Sequence, residues 1–212
     1  NVQGNDMLQT SYVQQSPQQS DNSYLVRSMY RLRKVVFEDR LGWAVKSYNG
    51  MEIDGYDELD ATYLMHTNNH MEVDGCCRIL PTQGPYMLRD VFPQLLRGEA
   101  LPEAPDVLEI SRFAVDTSTS ESRSDNSINL VTTDILRQIY DYAIDNNVQR
   151  YVAVTSAAME RVLRRAGIPT RRFGDGKLTR IGKVMSVCIW VDINEQYRDA
   201  VYKQVNLERK AA

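Results

Sequence analysis

The chain has few of the residues on which metal and thiol chemistry depend. Its 212 residues include three cysteines and two histidines. Two of the cysteines, Cys76 and Cys77, are adjacent, the count is odd and there is no CxxC spacing, which is typical of reduced thiols in a cytoplasmic protein. His66 and His70 fall where the pattern predicts a strand end and a turn, a poor geometry for two ligands of one metal. We therefore expect no metal site and no thiol nucleophile.

Long apolar runs and a strong net charge are also absent. No stretch approaches the roughly 20 apolar residues that cross a bilayer, and no segment has the pattern of a signal peptide. The formal net charge is −3, which gives no reason to expect a polyanionic partner, although local basic patches remain. We expect neither membrane insertion nor nucleic-acid binding.

The first 22 residues differ in composition from the rest. They contain many glutamines and few large apolar side chains, which predicts a mobile polar leader over 1–22 or a short strand near 7–13. Met7 is a candidate initiator, in which case residues 1–6 derive from an expression vector. The length and the 42% apolar content predict one domain over 23–212.

Apolar periodicity alternates between helical and extended patterns along this domain. It predicts helices over 24–39, 87–97, 127–146, 157–166 and 195–205, and strands over 61–67, 73–80, 107–115, 151–155 and 183–193. The order predicts an α/β single domain with a mixed central sheet flanked by helices.

Several charges lie on predicted apolar elements. Glu109 and Arg112 are three apart on one strand and point to opposite faces unless a bulge intervenes, and Arg78 lies on another strand. Each such charge needs a partner or a ligand. Structural ion pairs are the commoner explanation for one strand, and an active site is the alternative. Arg33 lies beside the apolar stripe of the first helix, where position alone predicts a surface side chain.

An acidic stretch over 50–60 carries five carboxylates in nine positions, interrupted by glycine and aromatic residues. Such a loop is either solvated or holds a cation. Its spacing does not fit a calcium loop, so an organic cation is the alternative of interest.

Separated stretches in this order resemble the acyl-homoserine-lactone synthases of the LuxI type, the autoinducer synthases of quorum sensing. The stretches are Arg33-Lys34-Val35-Val36-Phe37, Arg40-Leu41-Gly42-Trp43, Asp54 with Asp57, Arg78 with Leu80-Pro81, Gly84-Pro85-Tyr86-Met87-Leu88 and Glu109-Ile110-Ser111-Arg112-Phe113. The resemblance covers about residues 24–193. It implies a fold similar to that of GCN5-related acetyltransferases.

The resemblance also implies a reaction. The amine of S-adenosylmethionine, a substrate and not a cofactor, attacks an acyl thioester on acyl carrier protein, and its carboxylate then displaces methylthioadenosine to close the lactone. Glu109 is the expected base, with Arg112 and Arg78 as catalytic partners. The expected S-adenosylmethionine site comprises Arg33, Phe37, Trp43, Asp54 and Asp57. The arginines would hold the substrate carboxylate or fix Glu109 by pairing.

Two further sites follow from the resemblance. Arg161 and Arg165 match a basic patch that docks the acidic carrier protein, although composition alone fits a solvated helix face equally well. The acyl chain is expected near Ser111, Ala153 and Thr155. A threonine that prefers 3-oxo chains aligns with Ala153, so we expect an unsubstituted or 3-hydroxy chain; a shift of two residues would put Thr155 in that role.

Two rival functions remain. An acyl-coenzyme A-dependent N-acyltransferase of the same fold would carry a glycine-rich pyrophosphate loop after the central strand, and residues 115–129 contain no glycine. Because some synthases of the resembled family use acyl-coenzyme A, this absence does not decide the donor. A non-catalytic binding protein would be expected to lose Glu109 or the arginines, and all are present.

Overall fold

The computed structural model describes residues 11–15, 23–118 and 128–211, and its central layer is an eight-stranded mixed sheet. The strands are β1 (Ser11–Gln15), β4 (Thr62–Thr67), β5 (Val73–Pro81), β6 (Val107–Val115), β7 (Arg150–Ser156), β8 (Thr170–Arg172), β9 (Thr179–Ile181) and β10 (Val184–Asp192). They run in the order β1-β4-β5-β6-β7-β10-β8, with β9 also paired to β10. A separate two-stranded hairpin joins β2 (Ser47–Tyr48) to β3 (Met51–Glu52).

Helices cover both faces of this sheet. They are α1 (Ser23–Arg33), α2 (Met87–Asp90), α3 (Leu130–Asp145), α4 (Ala157–Arg165) and α5 (Glu195–Ala211), with short 3₁₀ turns over Gly55–Glu58 and Pro93–Leu96. One apolar core packs α1 and β3 against the sheet, and the other packs α3, α4 and α5 against its opposite face. The predicted α/β domain with a mixed sheet is confirmed.

The sheet separates at its middle. All neighbouring strands pair antiparallel except β6 and β7, which pair in parallel only from Val107 with Arg150 to Ile110 with Ala153. Beyond these residues β6 continues beside β5 and β7 continues beside β10. The two central strands therefore lie apart over their carboxyl-terminal halves, and this opening positions the site described below.

Element boundaries differ from the sequence prediction in a few places. The predicted helix over 24–39 is α1 followed by a π-helical turn at Lys34–Arg40, and the predicted helix over 87–97 is two short helical pieces around Pro93. The final helix is longer than predicted, and β2, β3, β8 and β9 were missed because strands of two or three residues show no periodicity.

Part of the amino-terminal segment lies within the described residues. Residues 11–15 form an edge strand antiparallel to β4, which overlaps the short strand expected near 7–13. Residues 1–10 and 16–22 lie outside the described residues, so the leader over 1–22 stays a prediction. Within the described ranges, no helix combines the length and apolar character needed to cross a membrane.

Candidate active site

Two buried arginines meet at one carboxylate beneath α1. Arg33 binds Asp57 through both terminal nitrogens at 2.8 Å, and its Nε donates to Glu52 at 2.6 Å. Arg78 reaches the same Asp57 at 2.9 Å through Nη1. The hydroxyl of Tyr63 donates a further hydrogen bond to Asp57 at 2.6 Å. The surface position that helix periodicity alone would give Arg33 is not found, because its side chain is fully buried. Its predicted place in the site is compatible with this burial. The position of Arg33 on its helix does not predict this burial, because its partners Glu52 and Asp57 come from a separate segment of the chain.

Arg112 joins this network because of a β-bulge. The pairing of β5 with β6 shifts between Cys76 and Arg78, and Arg112 has φ +53°, in the left-handed region. The extra residue turns Arg112 to the same face as Glu109, whereas regular alternation would separate them. Arg112 then binds Glu52 at 3.0 Å and Asp54 at 2.7 Å. The bulge that the sequence analysis left open is present.

The acidic stretch is ordered by a cap at the 3₁₀ turn. Asp54 accepts from the backbone N–H of Tyr56 at 2.9 Å, and Asp57 accepts from the backbone N–H of Asp54 at 2.8 Å. Both carboxylates thereby face the arginines, with Arg78 bound to Asp54 at 2.6 Å. The stretch is neither a calcium loop nor merely solvated.

The network balances its own charge. Three guanidinium groups face the three carboxylates of Glu52, Asp54 and Asp57. Burial alone would raise the pKa of Asp57, but Arg33, Arg78 and the backbone N–H of Asp54 hold it below its usual range. A buried ion pair is costly when one partner is lost, so these six side chains depend on each other.

Glu109 stands apart from the salt bridges. Its carboxylate accepts the backbone N–H groups of Met87 at 2.9 Å and of Leu88 at 2.7 Å, at the start of α2. Within the described part of the chain, no arginine lies at salt-bridge distance from it. Of the two roles expected for the arginines, pairing with Glu109 is not found, because the guanidinium groups bind other carboxylates. The other role, holding the substrate carboxylate, stays a prediction. Burial raises the pKa of Glu109 to about 7, although the two N–H groups and the charges of Arg78 and Arg112 oppose this shift.

A cavity of about 420 Å³ runs from this site through the opening between β6 and β7. On the α1 face it is lined by Phe37 and Trp43, whose rings stack at 5.2 Å between centroids. On the opposite face it is lined by apolar side chains of α3 and α4, including Leu136 and Met159. Glu109 and Arg112 lie on its wall. One cavity thus connects a charged, aromatic chamber with an apolar chamber.

The predicted acyl-chain residues line this cavity where the strands separate. Ala153 pairs with Ile110 at the last rung of the parallel ladder, and Thr155 lies two residues further along the same face. Ser111 also lines the cavity, and its hydroxyl accepts from Nε of Arg78 at 3.1 Å. The sequence analysis missed Thr132, a largely buried cavity residue on α3.

The predicted docking residues lie on the exposed side of α4, whose inner side lines the cavity. Arg161 and Arg165 are both exposed. Two neighbouring arginines are occupied: Arg171 binds Glu99, and Arg172 binds Glu160 at 2.7 and 2.6 Å. These two arginines are therefore paired with carboxylates and do not extend the basic face that Arg161 and Arg165 form on α4.

Eight residues of the stretches that carry the family resemblance converge at one end of the cavity or directly beneath it: Arg33, Phe37, Trp43, Asp54, Asp57, Arg78, Glu109 and Arg112. Sequence reasoning missed Glu52, which binds both Arg33 and Arg112. The available signal was charge balance, because three arginines on apolar elements require a third buried carboxylate.

No group of three or more histidine, cysteine or acidic side chains in the described ranges is arranged to hold a metal ion.

Comparison with known proteins points to one family. The family model described as autoinducer synthase matches residues 17–201. An acyl-homoserine-lactone synthase of Aliivibrio fischeri is 40% identical over 175 residues, which are 82% of this chain and 90% of the relative. The crystal structure of the AHL synthase LasI matches with a TM-score of 0.79 and 34% identity, covering 92% of this chain and 96% of LasI.

A more distant likeness concerns the fold alone. The coenzyme A-dependent acyl-homoserine lactone synthase BjaI, solved with S-adenosylmethionine and isopentyl-coenzyme A, matches with a TM-score of 0.76 at 22% identity and covers 87% of this chain and 83% of its own. The predicted similarity to the GCN5-related acyltransferase fold is confirmed.

Proposed function

Because the chain belongs to the autoinducer synthase family and is an acyl-homoserine-lactone synthase, an acyltransferase of quorum sensing, we propose that it joins S-adenosylmethionine to an acyl group carried by acyl carrier protein. The observation that carries the proposal is the single cavity, which connects a charged aromatic chamber to an apolar one across the sheet. A zwitterionic amine substrate fits the first chamber, and an acyl chain fits the second.

S-adenosylmethionine binds in the aromatic chamber. Its sulfonium lies against the stacked rings of Phe37 and Trp43, since a cation is attracted to an aromatic face. The side chain of Asp54 is partly exposed, whereas Asp57 is buried among its donors. Asp54 is thus available to the cation, and Asp57 positions Arg33 and Arg78.

Glu109 takes a proton from the substrate's ammonium group, directly or through one water. The free amine then forms a bond to the thioester carbonyl carbon, and the carbon–sulfur bond of the thioester breaks. The second proton lost by the nitrogen passes to the departing sulfur, so the carrier leaves as its thiol and the product is a neutral amide. A carboxyl group with a pKa of about 7 suits this proton transfer near neutral pH. Backbone N–H groups at the β-bulge around Arg112 are the proposed donors to the developing oxyanion, because a bulge removes residues from the strand ladder.

Lactone formation follows within the same bound molecule. A carboxylate oxygen bonds to the γ-carbon, the bond from that carbon to the sulfonium breaks, and its electron pair leaves with the sulfur as neutral methylthioadenosine. The negative and positive charges cancel in this step. Arg78 and Arg112 hold the carboxylate before it reacts, as charge-assisted hydrogen bonds favour.

The acyl donor is carried on a protein. Arg161 and Arg165 present positive charge on the outer side of α4, beside the apolar chamber, and an acidic carrier protein would dock there. Acyl-coenzyme A is the alternative donor, as in the structural neighbour BjaI. A coenzyme A-dependent N-acyltransferase of another specificity is the second candidate function, and the intact set of family residues disfavours it.

The acyl chain is proposed to be unsubstituted or 3-hydroxylated. Support comes from Ala153, which offers no hydroxyl at the point where the strands separate. Thr155 lines the same cavity, and the competing proposal assigns its hydroxyl to a 3-oxo group. Thr155→Val distinguishes the two, because it lowers turnover selectively for 3-oxo donors only under the second.

The decisive experiment incubates the protein with S-adenosylmethionine and a panel of acyl donors and identifies products by mass spectrometry. The panel varies chain length, the 3-substituent, and carrier protein against coenzyme A. We expect an acyl-homoserine lactone and methylthioadenosine in equal amounts from carrier-borne donors. Absence of lactone from every donor, with the fold intact by circular dichroism, would overturn the proposal.

The proposed location of the protein is the cytoplasm. It is supported by the three cysteines, which are buried and form no disulfide.

A further inference from the structure

The side chain of Met87 occupies an unexpected place between two arginines. Nη2 of Arg78 lies 3.3 Å from its sulfur, and Nη1 of Arg112 lies 3.5 Å from it. Met87 is largely buried, lines the cavity, and begins α2 directly beside Glu109. Two charged donors therefore point at a thioether, which is a weak acceptor.

The remaining donors of these arginines are matched to stronger acceptors. Nε of Arg78 binds Ser111 and its Nη1 binds two carboxylates, while Nε and Nη2 of Arg112 bind Glu52. Nη1 of Arg112 is different: within the described part of the chain, the sulfur of Met87 is its hydrogen-bond partner. Nη2 of Arg78 also donates to Asp54 at 3.1 Å, which leaves one of its two hydrogens for the sulfur. The two N–H groups directed at the sulfur, one from each arginine, thus form a site for an anion that the network itself does not supply.

We propose that Met87 is a positioning residue whose sulfur holds the place of the substrate carboxylate and exchanges with it. The inference rests on the proposed use of S-adenosylmethionine. On binding, the carboxylate takes Nη2 of Arg78 and Nη1 of Arg112, because it is a far stronger acceptor than a thioether. The methionine side chain has three rotatable bonds and moves aside, while its backbone N–H stays on Glu109.

The exchange also serves lactone closure. The carboxylate must leave the guanidinium groups to attack the γ-carbon, and after closure it is an uncharged ester. If no acceptor replaced it, two buried charged N–H groups would be left without a partner, which is costly. The returning sulfur of Met87 partners them and thereby favours both release of the carboxylate and departure of the product.

Met87→Leu tests this role, because leucine keeps the apolar volume and removes the acceptor. The probes are S-adenosylmethionine and decarboxylated S-adenosylmethionine, which keeps the sulfonium and the amine but lacks the carboxylate. We expect calorimetry to show about threefold to tenfold tighter binding of S-adenosylmethionine to the variant, since no N–H···S bonds are lost on binding. Binding of the decarboxylated compound should stay within about twofold. In single-turnover reactions, the Met87→Leu variant should accumulate acylated S-adenosylmethionine before the lactone forms.

Met65→Leu is the matched control. Met65 is a buried methionine of β4 in the same core, so the variant makes the same chemical change away from the arginines. It should bind both probes as the wild type does. Equal effects of Met87→Leu on both probes, or weaker binding of S-adenosylmethionine alone, would overturn the inference while leaving the synthase function standing. A wild-type protein that binds neither probe and makes no lactone would overturn both.

Discussion

The pKa of Glu109 depends on its burial, on the two backbone N–H groups that bind it, and on the distance of the arginines from its carboxylate. Two backbone N–H groups fix its orientation, while the nearby arginines are occupied by other carboxylates. A guanidinium on Glu109 would stabilise the carboxylate and lower its pKa, which would weaken it as a base. The separation of the ion-pair network from Glu109 therefore leaves a buried carboxyl group that can exchange a proton near pH 7.

The first prediction concerns the activity of this residue. Glu109→Gln should lower kcat/KM for lactone formation by at least about a hundredfold, the usual contribution of a general base. In the wild type, kcat/KM should rise with pH through about 7 as Glu109 deprotonates. Initial rates between pH 5.5 and 8.5 measure both effects. Near-normal turnover by the variant, with S-adenosylmethionine still bound, would remove Glu109 from the role of base.

The second prediction concerns stability and follows from the same pKa. The folded-state value of about 7 lies above the value near 4.5 expected in the unfolded chain, so the folded state binds more protons between these limits. The free energy of unfolding should therefore fall as pH rises from about 4.5 to 7, by up to about 3 kcal/mol from this group. Urea unfolding at several pH values should show a shallower fall for Glu109→Gln. An unchanged slope would contradict the assignment.

Most of the residues of the candidate site could be predicted from the sequence, but the ion pairs between them could not. The resemblance identifies eight positions, and the structure brings them together. Sequence position alone does not show that Arg33 is buried or that Glu52 completes the network. Both facts depend on how the chain folds back to bring Glu52 to Arg33, which is 19 residues earlier in the sequence. Glu52 lies among other carboxylates, and its identity as a partner depends on a two-residue strand without periodicity.

At the scale of elements, the bulge in β6 brings the charge of Arg112 to the wall of the cavity beside Glu109. A regular strand would send Glu109 and Arg112 to opposite faces, so the left-handed conformation of Arg112 is the local cost of uniting them. The long elements were predicted well because their apolar period is repeated over many residues. The bulge was foreseen only as an exception, since no residue type in this strand requires it.

The third prediction concerns the contact of α3 with the sheet. A Cβ atom on Gly75 in β5 would lie 2.4 Å from Cγ1 of Val131 and 3.2 Å from Cγ1 of Ile135, so Gly75→Ala must displace side chains of α3, the helix that lines the apolar chamber. We expect about 1–3 kcal/mol lower stability in urea unfolding and a raised KM for the acyl donor. Gly84→Ala is the control, because a Cβ there meets no atom within 4 Å. Equal effects of the two variants would exclude this packing explanation.

At the scale of the whole molecule, a mildly acidic chain carries a basic face on α4. The fourth prediction is that Arg161→Glu with Arg165→Glu raises KM for a carrier-borne donor by about tenfold at low salt, and that the difference shrinks as salt screens the charges. Arg27→Glu with Arg31→Glu makes the same charge change on exposed positions of α1. A salt-independent effect, or an equal effect of the control pair, would reduce the α4 face to ordinary solvated surface.

The early separation of β6 from β7 has a consequence for the order of events in each turnover. The sheet lies between the two chambers, so the amine and the thioester approach the opening from opposite faces and neither obstructs the other. The acyl group can then pass directly from the thioester to the amine, without first being bound covalently to an enzyme side chain. Both reactants are therefore bound before any bond changes. Initial-rate lines for one substrate at fixed concentrations of the other should therefore intersect; parallel lines would reveal a covalent acyl-enzyme instead.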